Sequence, residues 1–310
     1  MEISIVIPAY NEEGNIAPLY EKIAESLSKI TSKYEIIYVD DGSTDMTVNN
    51  VEALHKKDSK VHLIQFRKNF GKAAALSAGI ENAKGEIIIT LDADLQDDPS
   101  EISKLINKLN DGYDLVVGWK KDRKDPFITK KLPSKIFNLL IRILHKVNIH
   151  DSDCNFRVMR KELAKDLLFY GGLFRYIPSL ANWKGYKVTE EPVEHQKRFS
   201  GKAKFKSLGR LVKGFLDLIT TTFLIKYRNS PLYFFGSSGL ALLFLGFIGG
   251  LSLLYNKYIN GQLIGGRPLL LLTALLIILG VQFIFFGLLA EMITHNSQSQ
   301  VKNYNIKKKI

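Results

Sequence analysis

Apolar runs and stretches with helical spacing alternate along the first part of the chain. Four runs have the length and the β-branched content of buried strands, and the three stretches between them repeat apolar residues at helical intervals. The predicted strands are residues 3–7, 35–39, 61–66 and 86–91, and the predicted helices lie near 14–31, 45–56 and 71–83. Apolar strands that alternate with helices are typical of a parallel sheet covered on both faces. We therefore predict an α/β fold with a mostly parallel sheet.

Two long uncharged stretches follow in the last part of the chain. Residues 231–255 contain 25 positions and residues 268–290 contain 23 positions without a charged side chain. At about 1.5 Å per helical residue, each stretch exceeds the roughly 30 Å hydrocarbon core of a bilayer. We predict two transmembrane helices, and the alternative is a buried helical hairpin. Gly280, Gly287 and the glycines of GFIGG are expected to mark close helix packing.

Basic residues flank these two stretches unevenly. The loop between them is bounded by Lys257 and Arg267 alone, whereas more cations lie outside the pair. The outer cations are Lys213, Lys226 and Arg228 before the first stretch and Lys302, Lys307, Lys308 and Lys309 after the second. Because cytosolic flanks carry the excess of Lys and Arg, we expect both outer ends to be cytosolic.

Two further stretches are amphipathic. The apolar positions are Ile136, Phe137, Leu140, Ile143, Leu144 and Val147 in the first stretch, and Leu208, Leu211, Val212, Phe215, Leu218 and Ile219 in the second. Lysine and arginine side chains flank both sets, which is typical of helices that lie in the plane of a membrane surface. The alternative is that these helices pack on the sheet domain.

The overall charge and the cysteine content narrow the class of protein. The chain has 310 residues and a formal net charge of +12, which suits nucleic acid, an anionic membrane surface or phosphorylated substrates. A single cysteine, Cys154, excludes an intramolecular disulfide and a multi-cysteine zinc site. The first apolar run has an acid at position 2 and no basic segment before it, so we expect a strand there and no signal peptide.

Chemically loaded segments follow each of the four predicted strands. They are PAYNEE after Ile7, DDGSTD after Val39, RKNFGK after Phe66 and DADLQDDP after Leu91. The loops at the carboxyl ends of parallel strands meet at one edge of the sheet, where ligands bind. We therefore expect these four segments to converge on one site.

The segment GEIIITLDADLQDDP, residues 85–99, concentrates negative charge at the end of one strand. It carries Asp92, Asp94, Asp97 and Asp98, and no cationic residue follows until Lys104. The carboxylates of Asp92 and Asp94, together with the Gln96 amide, are hard oxygen ligands that suit Mg²⁺ or Mn²⁺. The alternative is a solvated acidic turn before a helix that begins at Pro99.

The other acidic segments offer a site for a nucleoside. Asp40 or Asp41 can accept protons from a nucleotide base, while Asp45 or Thr44 is expected to cap the next helix. In the first segment, Pro8, Tyr10 and Glu12 offer a wall and a carboxylate for a ribose hydroxyl, and Asn11 and Glu13 are expected to act as helix caps.

Two common nucleotide-binding motifs are absent from the sequence. The GK of RKNFGK precedes Ala73 and Ala74 where a Walker A loop has Ser or Thr, and no GxGxxG follows the first strand. Hydrolysis of nucleoside triphosphates and dinucleotide redox chemistry are therefore disfavoured.

Seven segments together resemble one known family. They are IVIPAYNEEGNI, YVDDGSTD, RKNFGKAAAL, ITLDADLQDDP, DSDCNFRVM, RYIPSLANWKGYKVTEEPV and HQKRFSGKAKF. In this order, and followed by two apolar stretches, they resemble the bacterial and archaeal family 2 glycosyltransferases related to dolichol-phosphate mannose synthase. The two C-terminal helices are similar to those of undecaprenyl-phosphate sugar transferases.

The resemblance implies a fold, a reaction and a set of ligands. The fold is GT-A, and the reaction is inverting transfer of a sugar from UDP or GDP to a membrane polyprenyl phosphate, with Mg²⁺ or Mn²⁺ as cofactor. It implies an integral protein of the cytoplasmic membrane, with no nucleic-acid partner, and is compatible with a homo-oligomer. The implied domains are a cytosolic GT-A domain over 1–205 with an interfacial helix near 132–148, a juxtamembrane helix over 206–230, two spans within 231–290 and a basic cytosolic tail over 291–310.

The resemblance also implies roles for donor-binding residues. Asp92, Asp94 and Gln96 would hold the metal and the diphosphate. The remaining donor contacts would come from Pro8, Tyr10, Glu12, Val39, Asp40, Asp41 and Ala93. Arg198 and Lys204 would form a cationic lid over the phosphates, although Ala203 and Phe205 replace the usual Ser and Tyr of that loop. The alternative for this pair is membrane-surface charge.

The acceptor side is implied by the segment HDSDCNFR. Its spacing selects Asp151 as the residue that orients the acceptor or takes its last proton, with Asp153 as the second choice and helix capping as the alternative. Arg157 is expected to brace this loop. Arg123, Lys124, Lys130 and Lys131 are candidates for binding the acceptor phosphate, with Arg123 preferred, and the alternative is ordinary juxtamembrane charge.

Two other functions remain open from sequence. A processive polysaccharide synthase shares the GT-A core but usually has more spans and a Q-x-x-R-W segment, which is absent here. A basic membrane-anchored binding module would leave the converging acids unexplained, because carboxylates oppose phosphate binding unless a metal intervenes.

Overall fold

The protein divides into two compact units, Met1–Thr221 and Thr222–Ile310. The computed structural model describes residues 2–121, 132–167, 173–194, 207–227, 230–261, 263, 265–266 and 268–298.

A mixed sheet forms the centre of the first unit. The described residues contribute seven strands in the order β3-β2-β1-β4-β6-β5-β7. These are β1 Ile3–Ala9, β2 Tyr34–Asp40, β3 Val61–Gln65, β4 Ile87–Thr90, β5 Leu115–Trp119, β6 Arg157–Arg160 and β7 Val188–Pro192. Strand β6 is antiparallel to both of its neighbours, β4 and β5, and the other pairs are parallel. The predicted α/β fold with a mostly parallel sheet is confirmed.

The described residues form ten α-helices, some of which cover the sheet. They are α1 Ile16–Ser28, α2 Thr47–Lys57, α3 Lys72–Asn82, α4 Ile102–Asn110, α5 Leu132–His145, α6 Lys161–Asp166, α7 Ile177–Trp183, α8 Ser207–Tyr227, α9 Pro231–Tyr258 and α10 Pro268–Gln298. All four strands and three helices predicted for residues 3–91 are present, with ends that shift by a few residues.

Burial explains why these segments take these conformations. Strands β1 and β2 are almost wholly buried because helices cover both faces of the sheet, so they are mostly apolar. The polar residues Ser4 and Glu35 are buried there and form a hydrogen bond with each other. Helix α1 buries Ile16, Leu19, Ile23 and Leu27 on one face. These positions follow the helical period, which produces a single apolar stripe against the sheet. Local sequence and tertiary packing therefore agree in this half of the sheet.

The two amphipathic stretches form helices, and each helix has both buried and exposed apolar side chains. On α5, Ile141 is buried and Phe137 packs against the core, while Leu140 and Ile143 are exposed. The part of α8 in the first unit likewise buries Leu218 and exposes its apolar neighbours Phe215, Leu216 and Ile219. Each helix therefore packs on the sheet unit and also presents apolar side chains outward.

The second unit contains an antiparallel helical hairpin. Helices α9 and α10 are both long and apolar enough to cross a membrane. A Cβ atom added at Gly246 would lie 2.7 Å from Ile277 Cγ1, and one added at Gly280 would lie 2.9 Å from the carbonyl oxygen of Gly239. A Cβ atom at Gly287 would lie 2.9 Å from a methyl carbon of α9. The prediction that these glycines mark close helix packing is confirmed.

Candidate active site

The loops after the first three strands are tied together by side-chain hydrogen bonds. Asn11 Oδ1 accepts a hydrogen bond from the Thr44 N–H at 2.9 Å, which joins the loops after β1 and β2. Asp41 Oδ1 accepts from the Phe70 N–H at 2.7 Å, and Asp41 Oδ2 accepts from the Gly71 N–H at 3.0 Å. The Asp41 carboxylate therefore organises the loop that follows β3.

Charged side chains extend this set of contacts to the remaining loops. Lys72 Nζ lies 2.6 Å from Asp92 Oδ1, which joins the loops after β3 and β4. Asn155 Nδ2, just before β6, donates to the same Asp92 oxygen at 2.9 Å. Lys120 Nζ, just after β5, lies 2.7 Å from Asp97 Oδ1. The predicted convergence of the four segments is confirmed, and elements near β5 and β6 join them.

The residues expected to line the nucleoside differ in their exposure. Pro8 and Tyr10 are half-buried, whereas Val39 and Ala93 are buried, main chain included. Glu12 Oε2 accepts a hydrogen bond from Asn15 Nδ2 at 2.6 Å within its own loop.

The adjacent carboxylates Asp40 and Asp41 are both buried and both bind main-chain N–H groups. Asp40 Oδ2 accepts from the Ser43 N–H at 3.1 Å. Burial raises the pKa of Asp41 above its ordinary value, although the N–H groups of Phe70 and Gly71 oppose the shift. Both side chains therefore shape the loops that surround the expected nucleoside site.

The capping role expected for Asp45 is confirmed, whereas Asn11 binds the N–H of Thr44, which lies in the loop before α2. Asp45 Oδ1 accepts from the N–H of Thr47, the first residue of α2, at 3.0 Å. Burial alone would raise the pKa of Asp45, but the bonds from Thr47 outweigh it and lower that pKa. Glu13 Oε2 accepts from the Met46 N–H at 2.9 Å, at the start of the same helix. Both acids therefore bind N–H groups at the N-terminal end of α2.

The four aspartates after β4 have different environments. Asp98 Oδ1 accepts from the Ser100 N–H at 3.0 Å and caps the short helical turn that begins at Pro99, so for this residue the alternative of an acidic turn before a helix holds. Asp97 is buried beside Lys120, and Asp92 is half-buried beside Lys72. The sequence shows no cation near these acids, but folding supplies two from other loops.

The buried pair of Lys120 and Asp97 adjoins Cys154. Burial opposes the charge on Lys120, but the charges of Cys154 and Asp97 outweigh burial and hold the pKa of the ammonium above its ordinary value. Because Cys154 is a neutral thiol at neutral pH, Asp97 is the effective partner there. Burial raises the pKa of Cys154 to about 12.

We expect Cys154 to be inert toward thiol reagents in the folded protein. Its side chain is buried and its raised pKa leaves almost no reactive thiolate at pH 8. Titration with a chromogenic disulfide at pH 8 should detect no thiol until denaturant is added, and one thiol afterwards. Rapid labelling of the native protein would contradict this burial.

The acidic loop after β4 offers oxygen ligands that fit a divalent cation. Asp94 Oδ1 accepts from the main-chain N–H of Gln96 at 3.2 Å, so the two residues lie on one turn. Asn155 Oδ1 is buried and has no hydrogen-bond partner among the described residues, and it belongs to the amide that binds Asp92.

The number of carboxylates limits the kind of metal site. In the described part of the chain no three His, Cys, Asp or Glu side chains are grouped to hold a metal. Mg²⁺ commonly binds through one or two carboxylates and completes its shell with water and substrate phosphates. The residues present fit a site of that kind, and they do not fit an all-protein cage.

The loop before β6 is braced by Arg157, as expected from the sequence. This guanidinium is fully buried and donates from Nη2 to the Ser152 carbonyl at 3.0 Å and from Nη1 to the Phe174 carbonyl at 2.8 Å. Burial lowers the pKa of Arg157, while neighbouring negative groups, Asp151 and Asp92 among them, oppose the shift. Arg157 thus lies within electrostatic range of both the acidic loop and the acceptor-side aspartates.

The two acceptor-side candidates differ in their surroundings. Asp151 is buried, whereas Asp153 is half-exposed and its Oδ1 lies 3.1 Å from Arg175 Nε. Asp153 is therefore engaged at the surface. The structure gives the two side chains different environments, in line with the preference for Asp151 from spacing.

His150, the residue before Asp151, contacts side chains of two strands. The sequence did not indicate these contacts. The His150 N–H donates to Glu190 Oε2 at 2.6 Å, and His150 Nδ1 pairs with the other oxygen of that carboxylate. The imidazole stacks on Trp119, with ring centroids 4.5 Å apart. Because Trp119 ends β5 and Glu190 lies in β7, these contacts form only when the second half of the sheet assembles.

Six residues that were predicted to bind phosphates lie outside the described residues. They are Arg123, Lys124, Lys130, Lys131, Arg198 and Lys204. Their expected contacts with phosphates remain predictions.

Comparisons with known proteins identify the family of this chain. Residues 4–168 match the family described as Glycosyl transferase family 2. A dodecaprenyl-phosphate galacturonate synthase of Rhizobium johnstonii is 36% identical, over 99% of this chain and 92% of the relative. An undecaprenyl-phosphate 4-deoxy-4-formamido-L-arabinose transferase of Yersinia pestis is 34% identical, over 94% of this chain and 88% of the relative.

The fold is also that of solved structures. Glucosyl-3-phosphoglycerate synthase of Mycobacterium tuberculosis, in complex with Mn²⁺, UDP and phosphoglyceric acid, superposes with a TM-score of 0.57 and 20% identity. The match covers 72% of this chain and 78% of that chain. At this identity the likeness concerns the fold alone, and the GT-A fold is confirmed. From the shared sequence, the converging loops and this fold, the chain belongs to glycosyl transferase family 2.

Proposed function

We propose that the protein transfers a sugar from a nucleotide-sugar to a membrane polyprenyl phosphate, with inversion at the anomeric carbon. The observation that carries this proposal is the meeting of the acidic loop after β4 with the Asp151 loop around the buried Arg157. A donor diphosphate and an acceptor phosphate must approach each other closely for direct displacement. The names of the two relatives, which specify dodecaprenyl and undecaprenyl phosphates, support the acceptor class.

The donor would be bound by the loops after β1, β2 and β4. Asp92, Asp94 and Gln96 would hold a divalent cation, with Mg²⁺ and Mn²⁺ as the candidates. When bound, such a cation stabilises the negative charge that grows on a departing nucleoside diphosphate. Among the residues predicted to line the nucleoside, the half-buried Pro8 and Tyr10 would enclose it.

The acceptor would be activated with little need for a strong base. A phosphate monoester has a second pKa near 6, so its oxygen is largely ionised at neutral pH. Asp151 would orient this oxygen or remove its last proton. The hydrogen bonds of Arg157 and His150 on either side of Asp151 would keep that carboxylate in place.

The helices would hold the reaction at the membrane. Helices α9 and α10 would span the bilayer with both termini and the sheet unit in the cytosol. The exposed apolar side chains of α5 and α8 would rest at the headgroup level, because a polyprenyl chain leaves the bilayer only at high cost. The soluble donor would arrive from water.

A direct assay tests this function. Membranes that contain the protein are incubated with radiolabelled UDP- and GDP-sugars, polyprenyl phosphate and either Mg²⁺ or Mn²⁺. The expected product is a lipid-linked monosaccharide that forms with one donor and requires the lipid. A growing polymer would indicate a processive synthase, and the absence of lipid product with every donor would contradict the proposal.

We expect Asp151→Asn to reduce kcat about 10²-fold, with a small change in KM for the donor, which is the low end of what a positioned acid–base group contributes, because the acceptor oxygen is largely ionised already. Steady-state rates of the lipid product measure this effect. Asp153→Asn is the matched control, since Asp153 is engaged by Arg175 at the surface and should retain most of the activity. Equal losses in the two variants would place both aspartates in a structural role.

A further inference from the structure

Asp92 is already bound on one oxygen by two other side chains. Its Oδ1 atom lies 2.6 Å from Lys72 Nζ and accepts from Asn155 Nδ2 at 2.9 Å. The Lys72 and Asp92 side chains are 32% and 29% exposed, so the pair is largely shielded from solvent. Shielding of this degree makes the charge interaction stronger than in an open surface pair.

A divalent cation on Asp92 would compete with this ammonium. Mg²⁺ binds carboxylate oxygens at about 2.0–2.1 Å, so a cation on Oδ1 would come within a few ångströms of Lys72 Nζ. Like charges at that separation repel strongly in a partly buried site. Lys72 has a long flexible side chain at the first residue of α3, so it can withdraw without movement of the sheet.

The negative charge of a nucleotide would relieve this competition. A diphosphate placed beside the cation offsets the repulsion between the cation and Lys72, because it attracts both. The cation and the nucleotide would then bind with positive coupling, and each would tighten the other by the same factor.

We propose that Lys72 is a built-in counter-ion of Asp92 that competes with the divalent cation for this carboxylate. Binding of the cation alone is therefore weak, and it becomes tight when a nucleotide diphosphate accompanies it. This inference rests on the metal site of the proposed function and adds a residue that sets its affinity.

The test measures Mn²⁺ binding to the full chain in detergent, with free Mn²⁺ followed by electron paramagnetic resonance. Titrations are made with Mn²⁺ alone, with UDP and with GDP, for the wild type and for Lys72→Met. Methionine keeps much of the length and apolar volume of the lysine stem but removes its charge. We expect Lys72→Met to bind Mn²⁺ alone about tenfold more tightly, and the enhancement by nucleotide to shrink by about the same factor.

Two controls separate this effect from general changes. Lys104→Met removes one positive charge from a lysine whose partners are Glu101 and Glu191, and it should leave the Mn²⁺ affinity unchanged. Lys72→Arg keeps the charge and should retain weak binding of Mn²⁺ alone. The melting temperature of each variant verifies that it is folded.

The outcomes distinguish the two proposals. If Asp94→Asn abolishes Mn²⁺ binding but Lys72→Met binds Mn²⁺ as the wild type does, the counter-ion role is wrong and the metal site stands. If Asp92→Asn and Asp94→Asn both bind Mn²⁺ as the wild type does, the metal assignment is wrong and the counter-ion role falls with it.

Discussion

Replacement of Asp94 by asparagine is expected to reduce sugar transfer about a thousandfold while the protein remains folded. Asparagine keeps an oxygen that can accept the Gln96 N–H, so the turn after β4 should persist. It removes the charge that would bind the cation, and electrostatic stabilisation of a leaving group is commonly worth about 10²–10³ in rate for a single interaction. Losing the cation should reduce the rate more than losing one hydrogen-bond donor, so we expect the loss to lie at the upper end of this range.

The rate of radiolabelled lipid product measures this effect, and Asp98→Asn is its matched control. Asp98 lies in the same loop but binds the Ser100 N–H at the next turn, so its replacement should cost only about 1 kcal/mol of stability and little activity. An Asp94→Asn variant with wild-type activity would remove the basis for a metal in the mechanism. A similar loss in Asp98→Asn would show that loop integrity, and not the cation, limits the reaction.

Arg157→Met is expected to destabilise the first unit by about 3–5 kcal/mol, which is typical when one partner is removed from a buried charged network. The substitution leaves the carbonyl oxygens of Ser152 and Phe174 buried without their donor. It also removes the cation that offsets Asp151. For a unit of this size, such a loss lowers the melting temperature by about 10 °C.

Thermal unfolding in detergent measures the effect of Arg157→Met, and Arg160→Met is the control. Arg160 lies on the same strand but is half-buried and makes one long contact, 3.4 Å, with Asn110 Oδ1. Its replacement should change the melting temperature little. Equal melting temperatures for the two variants would mean that Arg157 does not hold the loop before β6.

The first half of the fold could be predicted from sequence because its patterns are local. The strands β1 to β4 are rich in apolar and β-branched residues, and the helices between them have clear helical spacing. The second half was harder to predict. Strand β6 has four residues and runs against its neighbours, and its position between β4 and β5 depends on pairing between distant segments.

Some residues of the candidate site could likewise be predicted from the sequence, and others could not. The aspartates after β4 and the Asp151 loop could be identified because they stand at the ends of apolar runs or in family motifs. Lys72 was not predicted as a site residue, because RKNFGK was interpreted as a converging segment, a family segment and an incomplete Walker A loop, none of which gave this lysine a role. Lys120 follows β5 and Glu190 lies within β7. Neither strand was predicted, so the rule that locates ligands at strand ends could not be applied there.

The sequence by itself determined the first four strands and the loops that follow them, the two apolar helices and the family, because periodicity and motif spacing are properties of neighbouring residues. The tertiary structure decided which charges meet. Lys72 reaches Asp92, and Lys120 reaches Asp97, across long separations along the chain, since Coulomb energy depends on distance in space. The sequence therefore located a cluster of acids, and only the folded chain showed that the protein supplies counter-ions of its own.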